Sequence, residues 1–376
     1  MALGVDFVGT NLGSGTKTYS LNFCNYLEEE NLNEHVYIFL TKGYYDEIPK
    51  KKNKNISYLI KPSFYTNIFV RIIWMQFILP FELKKLKIKK FYAPMNFGPI
   101  FLKYFKIKFI LALHSNLPWV YFSMMPGNFL RNFLTKYLYE ISINNCDKLI
   151  VDSIFAKKEI AKCLSLDQNK ISHIYLGIDK KYLVEDNSEK KKLKDFDYGN
   201  YFISTLSCVK YHNIINLLEA YKLLKAENKH QLKFVIVLQI LDQKYFKEIK
   251  KFVEKNFVLG DVIFLNNLEN DYLKLLYKKA KFYIFSSYCE VFGLTSLEAM
   301  SQGCPVIISN KSAIPEINGN AAIYFDPDNP NDIKSSMIRI LDDPNLRKNL
   351  IENGKKHHIK FNWKHTVKET IKILGI

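Results

Sequence analysis

Two glutamates eight positions apart, Glu290 and Glu298, are the residues of this chain best placed to do chemistry. They bound the segment EVFGLTSLE, which follows the apolar run FYIF and leads into AMSQGCPVII. That order reads as a strand, a glycine-bearing turn, a short helix and a second strand. In an α/β protein a turn at the carboxyl end of a strand is where phosphates and sugars bind. Gly293 has no side chain to hold a ligand away from the backbone. The amides of Phe292, Gly293, Leu294 and Thr295 are then free to donate to a diphosphate, with the positive end of the helix dipole behind them. Thr295-Ser-Leu-Glu298 also fits a capping box, with Thr295 as N-cap and Glu298 at N3. That reading is compatible with the first but leaves Glu290 and Gly293 unexplained. Paired carboxylates also raise glycoside hydrolysis. The place of Glu298, in the first turn of a helix beside a nucleotide-type cleft, argues against it.

Short apolar runs alternate with helical patterns throughout the chain. LGVDFVG (3–9), HVYIFL (35–40), KFILALH (108–114), DKLIVDS (147–153) and ISHIYLG (171–177) read as strands of a first half. YFISTLS (201–207), LKFVIVL (232–238), DVIFL (261–265), KFYIFSS (281–287), CPVIISN (304–310) and AAIYFD (321–326) read as strands of a second. Strands alternating with helices predict parallel sheets covered on both faces, and two such sets predict two Rossmann-like α/β domains. The polar stretch 180–200 reads as the link between them. The expected division is 1–180, 181–360 and a terminal helix, 361–376.

Composition limits the partners. The chain has 376 residues, enough for two domains, and 48% are hydrophobic, so it folds rather than stays disordered. It opens directly on a strand-like run without a basic leader and apolar core, and its six cysteines are scattered with no C-x-x-C pair. Both features fit the cytoplasm. The net charge of +17 is uneven. Residues 50–108 hold 13 lysines and one arginine against a single acid, Glu82. Within them NIFVRIIWMQFILPF (67–81) is too short and too interrupted to span a bilayer. It reads either as a buried helix with solvated lysines after it or as an interfacial element on an anionic membrane. Nucleic acid is the weaker partner, because no binding motif accompanies the charge.

The segment from Glu290 to Glu298 resembles the signature of retaining glycosyltransferases of the GT-B fold, above all glycosyltransferase family 4. The resemblance implies two Rossmann-like parallel-sheet domains facing a deep cleft, with a C-terminal helix crossing back to the first. It implies that Glu290 lies against the donor sugar and Glu298 against the ribose of the nucleotide. The likeness runs along the chain. The loop Gly13-Ser14-Gly15 is similar to the glycine-rich loop that approaches donor phosphates and acceptor; as a P-loop it fails, since Thr16 separates Gly15 from Lys17. LALHSNLP places His114 at the end of an apolar strand, where the family often has His-Asp near the reacting sugar. Ser115 here removes a carboxylate that would orient the imidazole. CDKLIVDSIFAKKEI looks like a strand and a helix capped by Ser153, and HIYLGID keeps Gly177 and Asp179. Leu268 falls where the backbone would meet the nucleobase.

One departure bears on activity. Family members carry an arginine or lysine and then a Lys-Asn after the first strand of the second domain, gripping the diphosphate. Here Ser207 stands at the first position and His212 at the lysine, with Lys210 the nearest fixed charge. Loss of both cations weakens stabilisation of the departing nucleotide unless Lys210 and a protonated His212 replace them. Asp195-Phe-Asp197 and Asp326-Pro-Asp328 read as solvated turn acids, so no metal and no cofactor beyond the nucleotide-sugar donor is expected. The expectation is a retaining hexosyl-type transferase at the cytoplasmic face of the inner membrane. It passes sugar to a glycan or lipid-linked acceptor of bacterial surface polysaccharide or lipopolysaccharide. The readings that compete are a GT-B scaffold that lost turnover and a sugar-nucleotide epimerase.

Overall fold

A computed structural model describes residues 2–9, 15–48, 53–184 and 198–376. Gly13, Ser14, Asp195 and Asp197 lie outside the described residues, as does most of the 180–200 stretch. By internal contacts the chain forms two compact units. Met1–Asn116, Phe133–Asp179 and Asn362–Ile376 make the first, Leu117–Asn132 and Lys180–Phe361 the second.

The first unit is built on a seven-stranded sheet. Its strands are β1 (Ala2–Asp6), β2 (His35–Thr41), β3 (Ile56–Lys61), β4 (Ile88–Ala93), β5 (Lys108–Leu113), β6 (Lys148–Val151) and β7 (Ile171–His173). The order is β3-β2-β1-β4-β5-β6-β7 and every pair is parallel. β5 buries all but its first residue, the mark of a strand covered on both faces. β3 and β4 are additions to the strands read from sequence. Both carry lysine, and β3 lies at the sheet edge and is nowhere fully buried, which breaks the apolar run that betrays the others.

The terminal helix Trp363–Leu374 belongs to the first unit. Trp363 and Val367 are fully buried in the cluster that holds Leu3, Val5, Phe23 and Ile110. Trp363 meets the ring of Tyr19 edge-on at 5.4 Å, and Thr366 donates to the carbonyl of Tyr175 at 2.7 Å. Gly177 is required by this packing: a Cβ there would stand 2.1 Å from the backbone nitrogen of Trp363.

The second unit carries a six-stranded parallel sheet, β8 (Tyr201–Cys208), β9 (Lys233–Ile240), β10 (Val262–Leu265), β11 (Tyr283–Phe285), β12 (Val306–Ser309) and β13 (Ala322–Phe325). Its order is β10-β9-β8-β11-β12-β13. Each of the six coincides with a run read as a strand in the sequence. The chain winds from β8 outward to β10, then returns to β11 on the other side of β8 and winds outward to β13. The order therefore reverses between β8 and β11, and in open parallel sheets the crevice at that reversal is where ligands bind.

Candidate active site

The signature turn follows β11, and the Ser207–Asn213 loop follows β8, so both open onto the reversal point of the second sheet. Gly293 has φ 89° and ψ 57°, in the left-handed region that excludes most side chains, and caps the helix Leu294–Ser301. The capping box expected from sequence does not form. The left-handed glycine starts the helix two residues early, which puts Thr295 inside its first turn. Thr295 Oγ1 accepts from the hydroxyl of Tyr283 at 2.7 Å, and Ser296 Oγ donates to the carbonyl of Gly293 at 3.0 Å. A glycine N-cap has no side chain to accept from the first-turn amides, which an α-helix leaves unpaired within itself. Among the described residues a Cβ at Gly293 would meet nothing nearer than the Glu290 side chain at 4.0 Å, which leaves room for a ligand. Phe292 buries its ring against Phe361 and presents only its backbone to the turn.

Glu290 is half-buried and tied on two sides. Its N–H donates to Ser312 Oγ at 2.9 Å, and its carbonyl accepts from Ala313 N–H at 3.2 Å. Its Oε1 lies 3.3 Å from His212 Nε2. His212 is 7% exposed and its ring packs edge-on against Phe285 and Tyr211. Its Nδ1 sits 3.0 Å from the backbone nitrogen of Ser207 and 2.8 Å from that residue's carbonyl oxygen. A proton on Nε2 donates to Glu290, while Nδ1 accepts from Ser207 N–H when it carries a lone pair and donates to the Ser207 carbonyl when it carries a proton. Burial, and then the Glu290 carboxylate, push the Tyr211 phenol up. Lys210, in the same loop, is exposed. Asn213 is structural: it adopts φ 55° at the start of the helix Ile214–Ala226 and donates to the carbonyl of Pro327.

Among the residues predicted from sequence, Ser207, Lys210, His212, Glu290 and the turn to Thr295 thus share one end of one sheet, with Glu298 in the helix that follows. Leu268 follows β10 and is separated from that pair of strands by β9. Asp326 and Asp328 are engaged by Lys311 at 3.1 and 3.7 Å, and Tyr288 donates to Asp328. The Lys311 hydrogen bond holds the Asp326 carboxyl below its ordinary range.

In the first unit, His114 follows β5 as expected, but its setting differs from the sequence reading. Both carboxylate oxygens of Asp152, at the end of β6, lie 2.9 Å from His114 Nδ1. The carboxylate that Ser115 fails to supply comes from the neighbouring strand. Asp152 is 2% exposed, so its charge is met by the imidazole rather than by water. His114 also accepts the Tyr19 ring against its face at 4.6 Å between centroids, and its N–H donates to Asn96 Oδ1 at 2.6 Å. A proton on Nδ1, donated to Asp152, leaves Nε2 of the neutral ring as an acceptor, and among the described residues that buried nitrogen has no partner. Ser153 caps the helix Ile154–Leu164 through Ala156 N–H. Asp152 is the residue that sequence reasoning missed. Its one signal is a lone acid ending the apolar run LIV. Gly15, exposed, begins the helix Gly15–Leu27, and Lys17 pairs with Glu47.

Two family models match in tandem. Residues 13–182 match Glycosyltransferase Family 4, and residues 185–357 match Glycosyl transferases group 1. The chain belongs to the GT-B glycosyltransferases. The O-antigen chain mannosyltransferase B of Escherichia coli is 27% identical over 245 residues, 64% of this chain and 63% of the relative. The match thus spans less than two thirds of that relative's length. Among solved structures, Anabaena HepE in complex with UDP and glucose superposes with a TM-score of 0.75 at 14% identity, over 100% of this chain and 99% of that one. WaaG, a glycosyltransferase involved in lipopolysaccharide biosynthesis, does so with a TM-score of 0.70 at 13% identity, over 100% and 99%. At these identities the likeness establishes the fold. Glu290 is thus held by His212, at the position where the resemblance places a lysine.

Proposed function

We propose that the protein is a retaining glycosyltransferase that moves a sugar from a nucleotide-diphosphate donor to a hydroxyl acceptor in the assembly of a bacterial surface polysaccharide or lipopolysaccharide. The observation that carries the reading is the convergence of Glu290, His212 and the Gly293 turn at the reversal point of the second sheet. The turn amides of Leu294 and Thr295, with Lys210, face a diphosphate. Glu290, aimed by His212, receives sugar hydroxyls, and Glu298 the ribose. His114, aimed by Asp152, offers Nε2 to a hydroxyl of the reacting sugars. The acceptor oxygen bonds to the anomeric carbon on the face from which the phosphate leaves. The carbon–phosphate-oxygen bond breaks with its electrons, and the acceptor proton passes to the departing phosphate. That chemistry asks the protein for positioning and charge stabilisation rather than a nucleophile.

The mannosyltransferase and lipopolysaccharide relatives support the pathway class, and the neighbour solved with UDP and glucose supports a nucleotide-linked donor. The reading places the protein at the cytoplasmic face of the inner membrane. It calls for no metal: of the two D-x-D triplets, Asp326-Pro-Asp328 is engaged by Lys311, and Asp195-Phe-Asp197 lies outside the described residues. Activity is therefore expected to survive a chelator.

The test is a panel of UDP-, GDP-, dTDP- and ADP-linked sugars, glucosyl and mannosyl donors among them, offered to the wild type and to Glu290→Ala. One donor class binds, and slow nucleotide release is abolished by the substitution. A protein that binds a donor but releases no nucleotide with any acceptor extract would instead be the non-catalytic scaffold.

A further inference from the structure

The helical stretch from Ile68 to Lys85 has two apolar faces and only one of them is covered. Trp74, Met75, Leu79 and Leu83 are fully buried. Arg71 also turns inward, where it pairs with Asp6 at 3.0 Å. On the opposite side Phe69, Ile73, Phe77 and Phe81 are 74%, 56%, 63% and 63% exposed. They recur at intervals of four. In a regular α-helix that spacing drifts by about 40° per step. The helix takes up one π turn, Trp74–Ile78, in which Leu79 N–H bonds to the carbonyl of Trp74, and the extra residue offsets part of the drift. The four side chains therefore form a stripe rather than a spiral.

Neighbouring rings widen the stripe. Phe77 lies 6.4 Å from Phe101, which lies 6.4 Å from Tyr104, and Phe81 meets Phe105 edge-on at 5.2 Å. Lys84, Lys85 and Lys87 follow Phe81 in the chain, and Lys103 and Lys106 flank Tyr104; all five are exposed. Among the described residues none of the five pairs with a carboxylate. Glu82, the one acid of the 50–108 segment, is held by Lys61 at 2.7 Å.

We infer that this face docks on an anionic lipid bilayer. The phenylalanine stripe enters the boundary between headgroups and acyl chains, and the lysines meet the headgroup charge. No helix among the described residues is long and apolar enough to cross a membrane, so the attachment is peripheral through this surface. Charge decides the occupant. A second copy meeting the same face symmetrically would set lysines against lysines. The surface is independent of the donor site and stands or falls apart from it.

The experiment is co-sedimentation of the full chain with vesicles of phosphatidylcholine alone and of phosphatidylcholine with about one third phosphatidylglycerol. The wild type is expected to bind the mixed vesicles, to bind neutral ones far less, and to be released by salt. Lys84→Glu/Lys85→Glu/Lys106→Glu should lower partitioning by at least roughly 100-fold, at about fivefold for each cation lost and more from the added carboxylates. Phe77→Ser/Phe81→Ser should lower it by about tenfold or more. All five substituted positions are exposed. Unchanged circular dichroism and melting confirm that the variants fold. Phe77→Trp should give fluorescence that brominated lipid quenches. Failure of the wild type to bind anionic vesicles, or equal binding by both multiple variants, would overturn the inference. So would a concentration-dependent dimer, abolished by Phe77→Ser/Phe81→Ser, in a protein that ignores vesicles.

Discussion

His212 Nε2 and Glu290 Oε1 stand 3.3 Å apart, joining the ends of the two strands at which the second sheet reverses direction. The glutamate is thereby aimed by the imidazole Nε2–H. His212→Gln, whose amide can still donate, is expected to keep kcat within about tenfold of wild type, whereas His212→Ala should lose more. His212→Lys adds the missing cation and should tighten binding of a nucleoside diphosphate by roughly tenfold at low salt, an advantage that fades as salt rises. Calorimetric titration at two ionic strengths measures both.

The Asp152–His114 pair makes a second prediction. Asp152→Asn removes the carboxylate that holds the Nδ1 proton and allows the other tautomer, which would turn Nε2 from acceptor into donor. A fall in kcat of at least about tenfold, near 1.4 kcal/mol in barrier, is expected with little change in donor affinity. Asp152→Glu should recover part of the loss if the carboxylate positions the ring. Steady-state kinetics that show a raised KM and unchanged kcat would refute this role.

Gly293→Ala tests the turn. The residue must hold φ 89° with a side chain, at a cost of about 1–2 kcal/mol. The new methyl enters the space left for the donor. Thermal unfolding should show the modest destabilisation, and donor titration a larger loss than stability alone explains.

A fourth prediction concerns the first unit. Arg71 is the one arginine of the basic segment, and it is buried against Asp6, whose other oxygen accepts Val8 N–H at 2.9 Å. Arg71→Met leaves Asp6 buried and unpaired, so denaturant unfolding should show a loss of about 3–5 kcal/mol. Adding Asp6→Asn should restore part of it, because the orphaned charge is gone.

His358 supplies a pH dependence. Burial holds its pKa below the ordinary 6.5, against the opposing effect of its hydrogen bond to the Gly354 carbonyl. The unfolded chain therefore binds a proton there more readily than the folded one. The contribution is complete above about pH 6.5 and is lost as pH falls through the folded value. Melting curves of His358→Gln should fall less steeply than wild type below pH 6.5.

The second sheet was legible because its strands are mostly apolar runs, free of charge beyond their first residue and bounded by polar turns. β3 and β4 were hidden by lysines that an edge position and half-exposed faces tolerate. Glu290 and Gly293 could be read as a site because their chemistry is local, a strand end and a helix start within a few residues. The contacts that aim the site were not local. His114 reaches Asp152 across 38 positions, and His212 reaches Glu290 from the far side of three intervening strands in the sequence. Strand order alone brings them together. The capping box failed for a local reason: the left-handed glycine starts the helix at Leu294, ahead of the threonine that would have capped it.

The most direct measurement compares wild type and Glu290→Gln by titration with a nucleotide sugar and with its bare nucleoside diphosphate. If Glu290 receives the sugar while the turn and Lys210 hold the diphosphate, the variant keeps its affinity for the diphosphate and loses the extra affinity for the sugar. Equal affinities of the two proteins for the nucleotide sugar would contradict the site.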